Sequence, residues 1–309
     1  DFGARRTAYE GEGFYRLPTV QDLGDPGTLA DDATLRLSGA NLPTELDESY
    51  TSWTVGGNYT LNDWLGVNAR ASKANRGPGE FNLILPLGAE VTETRQYELG
   101  VKVDTERLSL FATAFYSEFK PFTASLFALD PETGELGFEN FVGEITSPGI
   151  EVDADWRITD NFTVHAAVTW NDAEQGDFSG ESGAEPVSAD GNLPIRQPRW
   201  YGNVRPSYYT VLGDGWETEL YAQVLYVGER FVDLENNTRL PAYETVGAGI
   251  LVHRGPWTAQ LYGDNLFNEV GITEGNPRVD QVSGQGSADA IYGRPIFGRN
   301  FRLVITRSF

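Results

Sequence analysis

The chain has 309 residues, and its 45 acidic against 23 basic side chains give a formal charge of −22, which disfavours a nucleic-acid partner because phosphate binding needs a basic face. Cysteine is absent and there are two histidines, His165 and His253, so disulfides, thiolate metal centres, a cysteine nucleophile and a histidine-rich cluster are excluded. No apolar run reaches the roughly 18 residues of a membrane-crossing helix, while an aromatic content of 12% disfavours disorder.

The dominant pattern along the chain is a period of two. A weak strand is expected over residues 4–16. WTVGGNYTL (53–61) turns through Asn62-Asp63 into WLGVNARAS (64–72), and YELGVKV (97–103) turns through Asp104-Thr105-Glu106 into RLSLFATAFY (107–116). In GIEVDADWRIT (149–159), Ile150, Val152, Ala154, Trp156 and Ile158 share one face and Glu151, Asp153, Asp155 and Arg157 the other. A helix would mix these two sets, whereas a strand separates them. After Thr159-Asp160-Asn161 the alternation resumes: Phe162, Val164, Ala166, Val168 and Trp170 oppose Thr163, His165 and Thr169. WYGNVRPSYYTV (200–211) and WETELYAQVLYV (216–227) flank Gly213-Asp214-Gly215, and YETVGAGILV (243–252) and WTAQLYGDNLF (257–267) flank Arg254-Gly255-Pro256. RNFRLVITRSF (299–309) is the last strand, making about twelve.

Short connections alternate with long ones at roughly 17–49, 74–92, 120–144, 174–198, 229–242 and 268–298. Long structureless loops are unusual in compact soluble domains, but short turns at one end and long loops at the other describe an outer-membrane barrel. The polar set Asn58, Thr60, Asn68, Arg70, Lys102, Glu151, Asp153, Asp155, Arg157, Glu217, Glu219, Gln223, Gln260, Asp264 and Arg302 would face inward. That much charge in a sandwich core would cost several kcal/mol per unpaired ion. A wet lumen removes the cost and lets the apolar set face lipid. Trp64, Trp156, Phe162, Trp216 and Trp257 lie beside short turns, and Tyr116, Trp170, Trp200, Tyr226 and Phe267 near the long loops, as two interfacial belts would require. The expected fold is therefore all-β, a transmembrane antiparallel up-and-down β-barrel with short periplasmic turns and long extracellular loops, treated as one domain over 1–309.

Several segments resemble the C-terminal part of a TonB-dependent outer-membrane receptor. They are TRQYELGVKVDTERLSLFATAFYSEFK, SPGIEVDADWRITDNFTVHAAVTWNDA, the Leu240-Pro241 and Tyr243 strand, Asn265-Leu266-Phe267-Asn268, and the closing GRPIFGRNFRLVITRSF, spanning roughly 90–309. The resemblance implies a 22-stranded barrel of which this chain supplies about the last twelve strands. The plug domain, its TonB-contacting box and the first strands would lie outside it, and a start without methionine fits a truncated piece. It also implies a bacterial outer-membrane receptor taking up a scarce nutrient of the siderophore, vitamin or oligosaccharide class. Its partners would be that ligand, TonB–ExbB–ExbD through a plug, the barrel-assembly machinery, and lipid with lipopolysaccharide. Phe309 would be the assembly signal, and lumen-facing Arg70, Arg205, Tyr209, Gln260 and Tyr262 would meet substrate. No catalytic residue, metal site or cofactor is expected, since neither a G-x-S-x-G elbow nor a phosphate loop is present. The acidic run 172–190 reads as solvated loop, with calcium as a weaker option. Two other readings stay open: a complete twelve-stranded barrel acting as hydrolase or translocator, in which strand 4–16 pairs with 299–309, and a soluble extracellular glycan-binding β-protein.

Overall fold

The computed structural model describes residues 1–15, 18–22, 33–37, 42–77, 91–129, 136–179, 181–182, 185–186, 189–278 and 290–308. Twelve strands form one continuous antiparallel ladder: β1 (Phe2–Tyr15), β2 (Leu42–Asn62), β3 (Leu65–Arg76), β4 (Thr92–Asp104), β5 (Leu108–Leu129), β6 (Leu136–Arg157), β7 (Phe162–Asn171), β8 (Trp200–Leu212), β9 (Trp216–Val227), β10 (Tyr243–Arg254), β11 (Trp257–Asp264) and β12 (Asn300–Arg307). Each pairs with its sequence neighbours, and Glu174–Ser179 adds a short branch on β6. All twelve strands expected from the alternation are present. Among the described residues β1 pairs only with β2, and β12 only with β11.

The short turns follow their local chemistry. The Asn62 side-chain oxygen accepts the Trp64 N–H at 3.1 Å, and Thr105 Oγ1 accepts the Leu108 N–H at 2.9 Å, both local side-chain turn devices. Arg254 pairs with Trp257 across Gly255-Pro256. Gly255 has φ 57, the positive value that the first position of a two-residue type II′ hairpin turn needs.

The long-loop end departs from expectation in two ways. Residues 120–129 and 136–144, within the stretch expected as loop, carry the strands onward: β5 and β6 run 22 residues each, roughly 70 Å at 3.3 Å per residue. That is about twice the 9–11 residues a spanning strand uses. The ladder slips between Phe119 and Phe122, beside Pro121, so the alternation loses phase there and reads as a break. Likewise, β2 begins at Leu42 inside the expected 17–49 loop. Second, 189–199 and 229–242 fold into a small packed unit in which Ala173, Ala189, Leu193, Val232, Leu234 and Leu240 are buried.

Ladder partners share a face, so the register fixes which side each residue takes. Arg70 opposes Glu98, Glu98 opposes Phe115, and the same side continues through Asp153, Asp155, His165, Arg205, Glu219, Gln260, Tyr262 and Arg302. The other side is apolar and open: Leu99, Leu220 and Ile305 are 63%, 45% and 62% exposed. Val152 and Val164 lie on that side and are half-buried only by their neighbours. Among the described residues no second layer covers this surface. Both aromatic belts lie on it, with Trp156, Phe162, Trp216 and Trp257 at the short-turn end and Tyr116, Trp170, Trp200 and Tyr226 at the other. Ten steps separate Trp216 from Tyr226, about 33 Å along a strand. At a tilt of about 40° that spans about 25 Å of the membrane normal, the height of a lipid-facing band.

Candidate functional site

The inner side of β8–β12 holds a connected polar and aromatic patch. Glu219 on β9 accepts hydrogen bonds from Arg205 Nη2 at 2.8 Å, Ser207 Oγ at 2.8 Å and the Tyr209 hydroxyl at 3.4 Å, all from β8. The Arg205 guanidinium lies 4.3 Å from the Tyr221 ring centroid, within cation–π range. Tyr221 lies across Gly249 of β10, where an added Cβ would come within 2.5 Å of its hydroxyl; only glycine leaves that path open. The hydroxyl accepts from Gln260 Nε2 on β11 at 3.0 Å. Beyond it, Arg302 of β12 sits 5.6 Å from the Tyr262 ring.

The structure therefore brings together four of the five residues singled out for substrate contact: Arg205, Tyr209, Gln260 and Tyr262. Arg70 stands apart on β3. It grips Glu98 of β4 through Nε at 2.9 Å and Nη2 at 2.5 Å, a bidentate pair that fixes the guanidinium plane. Glu219 was legible as an inward residue, but its three donors, and the Glu98 partner of Arg70, come only from the register. Tyr221 was hidden within an aromatic-rich strand, and the one clue was the run of glycines in the next strand. Phe309 lies outside the described residues, as does part of the acidic 172–190 run.

A second constellation ties the long loops together. Gln175 Nε2 donates to the carbonyls of Leu193 at 2.9 Å and Leu234 at 3.1 Å, and Asn192 Nδ2 to Leu234 at 3.0 Å. Asn236 and Leu193 exchange two hydrogen bonds, 2.9 and 3.0 Å. Asp233 caps the tight turn through the N–H groups of Asn237 and Thr238 at 2.8 and 2.7 Å. Buried Arg230 donates to the carbonyls of Ile272 and Thr273 at 2.8 and 3.1 Å, and Arg196 pairs with Glu274 at 3.0 Å. Loops from three hairpins thus form one rigid platform at the outer end. Closer to the short turns, Asp153, Asp155 and His165 gather their donor atoms on the inner wall.

An oily outside, a charged inside, two aromatic belts and an unbroken antiparallel ladder define an outer-membrane β-barrel wall. The sequence matches the family model described as TonB dependent receptor-like, beta-barrel, over residues 2–266, and the chain belongs to that family, whose members are receptors of the bacterial outer membrane. It is 26% identical over 244 residues to the metal-pseudopaline receptor CntO of Pseudomonas aeruginosa, covering 72% of this chain and 32% of that one. It is 28% identical over 122 residues to the ferrioxamine receptor of Yersinia enterocolitica, covering 39% and 16%. The fold superimposes on the siderophore receptor PiuA from Acinetobacter baumannii with a TM-score of 0.71 at 18% identity, covering 100% of this chain and 40% of the other. The chain thus spans about a third or less of the length of these curated relatives. Membership of an outer-membrane receptor family displaces the soluble reading and favours a receptor. Among the described residues, β1 and β12 do not make the pairing that a closed twelve-stranded barrel requires.

Proposed function

We propose that this chain is the C-terminal wall of a larger outer-membrane receptor that takes up a metal chelate of the siderophore class, driven through a plug by TonB–ExbB–ExbD. The observation that carries the reading is the partition of the ladder into a lipid-compatible outer face and a polar inner face. In lipid every backbone N–H and C=O must find an internal partner, and only a closed ladder provides that without an edge. The cargo class is supported by relatives named for ferrioxamine and metal–pseudopaline binding. In this reading the wall does no covalent chemistry. The loop platform holds the ligand-facing loops in place, and the Arg205–Tyr209–Gln260–Tyr262 patch, with Arg70 farther along the inner wall on β3, meets cargo or plug on the way through. Phe309, two positions after Arg307 in the sequence, acts as the assembly signal.

The test uses the whole polypeptide in its own outer membrane. Deleting it is expected to abolish uptake of at least one radiolabelled ferric chelate from a hydroxamate, catecholate and carboxylate panel. Reintroduction restores uptake only when TonB is present. Unchanged uptake of the entire panel under metal starvation would overturn the siderophore reading.

A further inference from the structure

The inner wall carries three neighbouring carboxylates in a row on β6: Glu151, Asp153 and Asp155. A strand places alternate residues about 6.6–7 Å apart on one face, so their charges repel unless something answers them. Two other carboxylates on this face are answered, Glu98 by Arg70 and Glu219 by Arg205. Here, among the described residues, no arginine or lysine forms an ion pair with any of the three. Asp155 instead meets His165, its ladder partner on β7, with Nδ1 3.1 Å from Oδ1. Two nearby cations are otherwise placed. Arg205, the ladder partner of His165 on β8, is held by Glu219 and Tyr221. Lys102 lies over Phe111 at 5.1 Å and 3.9 Å from Asp104. Arg157 lies one alternate position beyond Asp155, towards the turn.

We propose that Asp153, Asp155 and His165 form a binding site for a divalent transition-metal ion on the barrel's inner wall. One donor atom from each lies within 4.8 Å of the others. Zinc-to-ligand bonds of about 2.0–2.2 Å put tetrahedral donors roughly 3.4 Å apart, so the His165–Asp155 pair is already at chelating distance and a small side-chain rotation brings in Asp153. Imidazole beside carboxylates suits Zn²⁺, Ni²⁺ or Co²⁺ rather than Ca²⁺ or Mg²⁺, which take oxygen. The backbone is fixed, because all three residues sit in the β6–β7 ladder just above its short turn. Asp153 and Asp155 are exposed to the lumen, which leaves the remaining coordination positions to water and makes the ion exchangeable. The site stands apart from the cargo reading: it concerns a free ion on the wall, whichever chelate the receptor carries.

The experiment uses the full-length receptor, extracted from outer membranes in detergent, stripped with a chelator and titrated with Co²⁺. Wild type should bind one more equivalent than each of Asp153→Asn, Asp155→Asn and His165→Gln, with a visible absorption band that the three variants lose. Zn²⁺ should displace the band, with an affinity at least tenfold lower in each variant. Asp104→Asn, another exposed inner carboxylate, should behave as wild type. Heat-modifiable migration checks folding. The two Asp→Asn changes are neutral, near-isosteric and exposed, so they report even if His165→Gln fails to assemble. Identical stoichiometry and spectra in wild type and all variants would overturn the site and leave the uptake result untouched.

Discussion

Asn236 shows how much a single side chain decides at the outer end. It sits at φ 58, a left-handed position that Asn tolerates better than most residues, and its amide exchanges two hydrogen bonds with the Leu193 backbone. Asn236→Ala removes both partners from a half-buried N–H and C=O while keeping the strained backbone, a loss of about 1–3 kcal/mol. The cost falls on the loop platform and not on the ladder, so limited proteolysis should cut within 189–199 and 229–242 in the variant. Heat-modifiable migration of the full-length receptor should stay unchanged. Gly255 is the counterpart at the short-turn end. At φ 57, Gly255→Ala places a Cβ in the left-handed region at a cost of roughly 1–2 kcal/mol, and the urea midpoint of the refolded receptor should fall accordingly. Because an added Cβ there meets nothing within 4 Å, any loss reports backbone strain and not a clash.

At the scale of the strand, the two faces make opposite demands on the same substitution. Leu220 points to lipid near the middle of β9, and Gln223 points to the lumen three positions on. Leu220→Arg should destabilise the receptor by about 2–4 kcal/mol, the midplane cost of an arginine on a lipid face. Gln223→Arg should cost far less, because the lumen is wet. Urea titrations of the two variants, folded in lipid vesicles, compare them directly, and equal costs would contradict the assigned faces. This partition was legible in the sequence because period-two alternation is a local signal, and so were the turns, since Asn62, Thr105 and Gly255 act on atoms within a few residues of themselves. What was not legible depends on contacts far apart in the chain. The extension of β5 and β6 past Phe119 follows a slipped register that breaks the alternation. The loop platform rests on Gln175, Asn192, Arg196 and Arg230 reaching carbonyls 18 to 79 positions away, and polar residues in a polar loop leave no periodic trace. The inner patch was half legible: alternation selected Arg205, Tyr209, Gln260 and Tyr262, but only the register shows that Glu219 and Tyr221 join them.

At the scale of the whole molecule, the two outer strands govern behaviour. β1 runs 14 residues and β12 runs 8, and among the described residues each has a neighbour on one side only. In a strand, alternate backbone groups point to each side, so each strand presents a row of N–H and C=O groups with no partner in the ladder. In water such a row is hydrated, and an edge is a hazard for aggregation. In the hydrocarbon layer each unsatisfied group costs several kcal/mol, so a handful outweighs the whole stability of an ordinary domain, about 5–15 kcal/mol. The chain superimposes over its full length on only 40% of PiuA, and in the proposed larger receptor further strands would cover these edges. Residues 1–309 expressed alone with an export signal are therefore expected to yield no heat-modifiable, protease-resistant monomer in the outer membrane. The same residues within the full-length receptor should yield one. The measurement is a pair of gel shifts, heated and unheated, on membranes from the two strains. A heat-modifiable monomer from the short chain would mean that β1 and β12 close on each other, and engineered cysteines at Ala4 and Leu303 would then cross-link within one chain.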